Sequence, residues 1–267
     1  MYPRLFQFGP VAVPTYGVFA AAALIAGLTL ATRVAARLGL QPNQVWNFGL
    51  TGVCSAVIGS RLLLISGNWH DFVAYPMVML TIPVPRTTDT VLLEIGLGIF
   101  AGLLYLTLKK MPWLRALDAA APGWALGQAI LMLGCFLAGC DYGLPTAMPW
   151  GVAFHSRWAL LWNGTPLETR LHPTQLYFFL LQALLCLGLL WWLPRRKQAG
   201  EMAGIWLLIS GLAQFFLDFF RGDNRPMILG DALSLMQAID FCMVVAGAVL
   251  LLRHSSLREI EYAQEDV

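Results

Sequence analysis

Two stretches carry side chains able to do chemistry at the borders of long apolar runs. The first, residues 133–143, ends one run and holds Cys135, Cys140 and Asp141 among glycines. The second opens the next run about thirty residues later with His172, Pro173, Thr174, Gln175, Leu176 and Tyr177. Pro is favoured in the first turn of a helix, where its missing N–H would be unpaired anyway. The N–H groups of that turn and the helix dipole favour an anion, and a phospholipid phosphate is the anion at this depth. A neutral imidazole beside it can take a proton from a nucleophile near neutral pH. The plainer reading makes His172 an interfacial cap. Gln175 and Tyr177 are two apart and face different ways; Gln175 suits a headgroup, and Tyr177 equally suits an interfacial aromatic.

Cys140 would need a base or a lowered pKa to act as a nucleophile. Asp141 works against the thiolate and His172 works for it. Cys135 and Cys140 are five apart, which on a regular helix separates them by about 140°. Gly139 can break that regularity, and an outer-face location in a bacterium is oxidising, so a disulfide is possible but unsupported by the spacing. Arg61 and Arg221 lie in or at the edge of apolar runs, where ionisable groups are functional candidates, and a guanidinium suits phosphate bidentately. Asp218 stands three residues before Arg221 and can simply neutralise it. Arg225 reads as a solvated rim charge.

These residues need a scaffold, and the composition names its solvent. Of 267 residues 58% are hydrophobic and only 12% charged, with mean hydropathy +0.66, against roughly 25% charged residues in a soluble domain. The chain reads as an all-α polytopic membrane protein forming a single unit over residues 1–267. Seven spanning helices are expected at about 15–36, 46–66, 91–108, 119–138, 174–193, 203–220 and 234–252. The net charge of +2 and the lack of a basic block exclude nucleic acid as a partner. The five cysteines form no zinc pattern, so no metal and no cofactor are expected. No cleavable signal peptide stands out, and no internal repeat of the kind many transporters show is visible.

Orientation follows from Lys and Arg. With the N-terminus outside, ten fall inside, in compact clusters: Arg33, Arg37, Lys109, Lys110, Arg115, Arg195, Arg196, Lys197, Arg253 and Arg258. Six fall outside: Arg4, Arg86, Arg157, Arg170, Arg221 and Arg225. Tyr16, Cys140, Asp141, His172, Asp218 and Arg221 then share the outer face, with Arg61 nearer that face than the other. So do the two longest loops, at about 67–90 and 139–173. Reversing the orientation would move the whole set together.

The block Leu171–Tyr177 (LHPTQLY), with Pro149-Trp150-Gly151 before it and Phe215–Arg221 (FFLDFFR) after it, resembles the bacterial prolipoprotein diacylglyceryl transferases. Tyr16-Gly17, Gly59-Ser60-Arg61 and the seven-helix layout are similar too. The resemblance implies an inner-membrane enzyme with a phospholipid donor, phosphatidylglycerol, and a membrane-anchored preprotein acceptor. In that reaction diacylglyceryl moves to a Cys thiol and glycerol phosphate is released. The central family pattern runs Gly-Arg-Ile-Gly-Asn-Phe-Ile-Asn-Gly-Glu-x-x-Gly. This chain keeps Gly134, Phe136, Gly139 and Gly143 but places Met132, Cys135, Ala138 and Cys140 at the Arg, Asn, Asn and Glu positions. A family His is missing before Gly96, a family Arg falls at Gln214, and a family Glu is Asp218. The turn is therefore kept while its chemistry changes, and Cys140 stands either as a covalent relay or in the place of the acid.

The leading expectation is a transferase with His172 as general base, Cys140 and Asp218 as further catalytic groups, and Arg221 and Arg61 on phosphate. Gln175, Tyr177, Tyr16, Cys135 and Asp141 complete the substrate site. The alternatives are a Cys/His intramembrane hydrolase or peptidase, or a non-catalytic lipid-binding paralogue.

Overall fold

The computed structural model describes residues 2–8, 11–76, 87–223, 225–228 and 232–265. Pro83, Pro85 and Arg86 lie outside these residues, as do the side chains of Arg253 and Arg258. A hairpin of β1 (Arg4–Phe8) and β2 (Val11–Pro14) leads into α1 (Thr15–Arg37). There follow α2 (Pro42–Gly67), the short α3 (Trp69–Ala74), α4 (Thr88–Leu108) and α5 (Trp113–Ala138). Next come β3 (Val152–Ala153), α6 (Arg157–Asn163) and β4 (Arg170–Leu171), then α7 (Thr174–Trp192) and α8 (Glu201–Leu217). The chain ends in the ribbon β5 (Met227–Ile228) and β6 (Leu233–Ser234) and in α9 (Leu235–Glu265). Seven of these helices are long and apolar enough to cross a membrane, as the hydropathy pattern requires.

Two expected starts move. The second span begins at Pro42, in the first-turn position that Pro favours. The fourth begins at Trp113 rather than near 119, because Arg115 and Asp118 make its first turns polar while packing keeps them helical. Both long loops also hold short elements: α3 in the first, and β3, α6 and β4 in the second.

The fifth helix is the hub, packed along α1 and α7 and touching α2 and α8, while α2 pairs with α4 and α8 with α9. Its buried face is small: Ala116, Ala119, Ala121, Ala125 and Ala129. In lipid there is no hydrophobic drive between helices, so close backbone packing must hold them. Accordingly, a Cβ placed on Gly27 of α1 would meet the Gly123 carbonyl oxygen of α5 at 2.7 Å. Gly134 sits against Phe19 in the same interface, so α1 runs antiparallel to α5 and Tyr16 lies at the end where α5 stops.

Each end of the bundle has its own polar knot. At the end carrying Lys109, Lys110 and Arg115, the fully buried Asp118 accepts from Arg196 Nη1 (2.6 Å). It also accepts from the backbone N–H groups of Gly200 (2.8 Å) and Ala203 (3.0 Å). A side chain of α5 thus caps α8, satisfying donors that a helix start leaves orphaned. At the other end three segments are stitched edge to edge. Gly143 N–H donates to the His172 carbonyl (3.2 Å), and His172 N–H to that of Leu144 (2.9 Å). Leu144 N–H donates to Phe220 (2.8 Å) and Gly222 N–H to Tyr142 (2.9 Å). A Cβ at position 143 would lie 2.4 Å from the His172 oxygen and 2.9 Å from that of Phe220, so only Gly fits.

Candidate active site

This stitched end gathers most of the residues singled out by their chemistry. The fifth helix stops at Gly139, whose φ of +86° suits glycine, and Cys140 N–H turns back to the Cys135 carbonyl (3.1 Å). That reversal brings the two Cα atoms within 5.0 Å, and Cys135 and Cys140 are joined in a disulfide. The helical spacing alone gave this bond no support; the left-handed turn at Gly139 replaces the helical geometry on which that spacing was judged. In this state Cys140 carries no thiol, so neither a relay nor an acid at this position is on display. Alkylating agents applied without reductant are expected to leave Cys135 and Cys140 unlabelled in peptide mass spectra, and reductant should expose both together.

Asp141 follows in a left-handed backbone conformation (φ +51°), which Asp tolerates better than most residues. The turn is held from α7: Thr174 Oγ1 donates to the Asp141 carbonyl (2.7 Å) and Gln175 Nε2 to that of Cys140 (2.6 Å). The Asp141 carboxylate, in turn, accepts from Arg221 Nη2 (2.8 Å).

Arg221 is surrounded by acids. Its Nε and Nη2 fork onto Asp223 (2.9 and 2.6 Å), and Nε lies 3.7 Å from Asp218. Burial pulls the guanidinium pKa down, but Asp141, Asp223 and Asp218 outweigh it and hold it above its ordinary value. The expected phosphate-binding role meets a side chain whose fork is already spent on carboxylates. Asp218, 4% exposed, is a hub of its own, paired with Arg225 and accepting from Ser234 Oγ. Arg225 is therefore a half-buried partner, not a solvated rim charge. Nearby, the Tyr142 phenol is raised, first by burial and then by the Asp223 carboxylate, and donates to the Gly164 carbonyl (3.2 Å).

Under this cluster lies a cavity of about 90 Å³ between α5, α7, α8 and α9. Asp141, Gln175, Asp218 and Arg221 line it together with Gln128, Gln214, Met132 and Asp240. Asp240, 4% exposed on the last spanning helix, was not anticipated. Its signal was present, since a carboxyl group inside an apolar run is costly and a functional candidate by default.

His172 stands beside the cavity without lining it. Its Nδ1 lies 3.2 Å from Tyr177 Oη, which accepts from Trp150 Nε1 (2.7 Å), and its ring packs edge-on to Phe220. For His172 to act as a base at Nε2, its Nδ1–H donates to Tyr177 Oη. That oxygen then accepts two N–H groups, which its lone pairs permit. Gln175 and Tyr177 do face different ways, as their spacing requires.

Arg61 and Tyr16, both half-buried, are not brought to the cavity. Arg61 belongs to the stretch of α2 that borders an open apolar groove of about 500 Å³ between α2 and α4, lined by Gly59, Leu62, Leu63 and Leu97 among others.

With this geometry in view, the chain can be set beside known proteins. A family model described as prolipoprotein diacylglyceryl transferase matches residues 3–253. A phosphatidylglycerol–prolipoprotein diacylglyceryl transferase of Clostridium tetani is 30% identical over 255 residues, covering 92% of this chain and 95% of that protein. A second, numbered 2, from Clostridium perfringens is 27% identical over 237 residues, covering 88% of this chain and 89% of its own. One from Synechococcus elongatus is 27% identical over 262 residues, covering 92% and 85%. A match over nearly the whole length, on a bundle with seven helices long and apolar enough to cross a membrane, places the chain in the prolipoprotein diacylglyceryl transferase family.

Proposed function

We propose that this protein moves a diacylglyceryl group from phosphatidylglycerol, or a phospholipid like it, to the cysteine thiol of a membrane-anchored lipoprotein precursor. The observation that carries the reading is the family match over residues 3–253. In the step envisaged, the acceptor sulfur attacks the glyceryl carbon that bears the phosphate. The S–C bond forms as the C–O bond breaks, the electron pair leaves on glycerol phosphate, and the thiol proton passes to His172 Nε2. Tyr177 and Trp150 orient that imidazole. Asp218 and Arg221 hold the end of the bundle in shape, a positioning role that their mutual pairing supports. Arg61 is the phosphate contact of a lipid seated in the apolar groove, and Tyr16 stands at the site end of α1. The site faces outward from the bacterial inner membrane, with the N-terminus outside. Supporting this orientation, Lys109, Lys110, Arg115 and Arg195–Lys197 flank the opposite ends of the spanning helices, where Arg196 pairs with Asp118.

A Cys/His hydrolase is less favoured, because the disulfide leaves no thiol at Cys140. The test is co-expression with a lipoprotein precursor and mass measurement of the acceptor. A diacylglyceryl mass on the cysteine, absent when that cysteine is serine, is the expected outcome. An unmodified acceptor with retained phospholipid binding would favour a non-catalytic lipid-binding protein, the direction in which Met132, Cys140 and Gln214 point.

A further inference from the structure

Four consecutive carbonyl groups at the end of α5 each accept from a side chain. Asn163 Nδ2 donates to Ala138 (3.1 Å) and Thr165 Oγ1 to Gly139 (2.7 Å). Gln175 Nε2 donates to Cys140 (2.6 Å) and Thr174 Oγ1 to Asp141 (2.7 Å). The donors come from the end of α6, the segment just after it and the first turn of α7. Helix ends leave such carbonyls orphaned, so side chains from two sides hold the turn at Gly139. The backbone that brings Cys135 and Cys140 together thus has supports of its own besides the S–S bond.

The surroundings of the two sulfurs point the same way. Asp141 Oδ2 lies 3.4 Å from Cys135 Sγ, and the Cys135 carbonyl oxygen lies 3.6 Å from Cys140 Sγ. A disulfide sulfur has no hydrogen to give, whereas a thiol is a weak donor. Each sulfur therefore already faces an oxygen that its thiol would use. Asp141 can serve Cys135 without releasing Arg221, because Arg221 Nη2 is bonded to the other oxygen, Oδ1. Access differs between the two: Cys135 is 1% exposed and Cys140 is half-buried.

We propose that Cys135 and Cys140 form a reversible dithiol–disulfide couple, opened at Cys140 by an external thiol and closed again on the same backbone. The entering thiolate attacks Cys140 Sγ, and its bond to that sulfur forms as the Cys135–Cys140 bond breaks. The electron pair leaves on Cys135, which takes up the proton that the entering thiol gave up. The Asp141 carboxylate beside it opposes a negative sulfur and accepts the new S–H. A second external thiol then displaces Cys140 as a thiol. Two external thiols have become one disulfide, and the protein has gained two S–H groups. Closure runs the same steps backwards, with an external disulfide as oxidant. The couple thereby places or removes a thiol next to Asp141 while the turn keeps its shape. Nothing in this chemistry requires the transferase reading, and its test measures no transfer.

The test is glutathione exchange on the whole native protein in nanodiscs, quenched by alkylation and read by peptide mass spectrometry. Wild type should pass from disulfide to dithiol as reduced glutathione is raised, and return when oxidised glutathione is added. Amide hydrogen exchange over residues 138–144 should differ between the two states by less than about tenfold. A pair that is reduced only after denaturation, or a larger change in amide exchange, would make the bond a structural staple and overturn the proposal. This arm needs no variant to fold. Cys135→Ala leaves only the accessible sulfur of the pair and Cys140→Ala only the buried one. Mixed with oxidised glutathione, the first should collect the mixed disulfide at least about tenfold faster than the second. Equal or reversed rates would overturn entry at Cys140. Replacing reduced glutathione by a reduced C-x-x-C protein at equal thiol concentration distinguishes the two sources of the entering thiol, by which of them opens the pair faster.

Discussion

Arg221→Ala is expected to cost the protein about 3–5 kcal/mol, the usual consequence of removing one partner from a buried charge cluster. The guanidinium joins the 139–143 turn to the end of α8 through Asp141 and Asp223, with Asp218 close by. Without it Asp141, Asp218 and Asp223 lose the guanidinium they share, while Arg225 stays on Asp218. Thermal unfolding in detergent, followed by loss of the monodisperse peak, reads the effect. Arg221→Lys should fall between, because an ammonium cannot fork onto two carboxylates. A stable Arg221→Ala protein that no longer binds phospholipid would instead make this arginine a ligand contact.

His172→Ala carries the second large effect, this time on rate. Removing a general base lowers turnover by about 10²–10⁴-fold, while the fold should stand, because His172 is joined to Gly143 and Leu144 through its backbone. Tyr177→Phe removes one hydrogen bond to the imidazole, worth about 1 kcal/mol, and so about five- to tenfold in rate. The graded pair separates a base and its orienting partner from a purely structural knot. Stable His172→Ala protein with unchanged turnover would exclude the imidazole from the chemistry.

How much of this was legible beforehand depended on whether the relevant partners were near in sequence. The seven spans announce themselves, since about twenty apolar residues with no other solvent to face leave little choice. The gathering of His172, Asp141, Asp218 and Arg221 at one end followed from counting those spans. Which of them touch did not. Asp218 three residues before Arg221 invited a simple pair, but the stronger bonds of Arg221 go to Asp141, eighty positions earlier, and to Asp223. The disulfide was hidden because Gly139 marks a break without stating its hand; only a left-handed turn folds Cys140 back on Cys135. Asp118 drew no attention because its three partners, at 196, 200 and 203, belong to another helix and the loop before it.

Reconstitution with phosphatidylglycerol labelled separately in its headgroup and its acyl chains, together with a cysteine-bearing acceptor peptide, tests the central claim most directly. The account predicts acyl label on the peptide as a thioether and headgroup label released as glycerol phosphate, in equal amounts, with none of either when the acceptor cysteine is serine. Release of fatty acid, or headgroup release independent of the acceptor thiol, would contradict it.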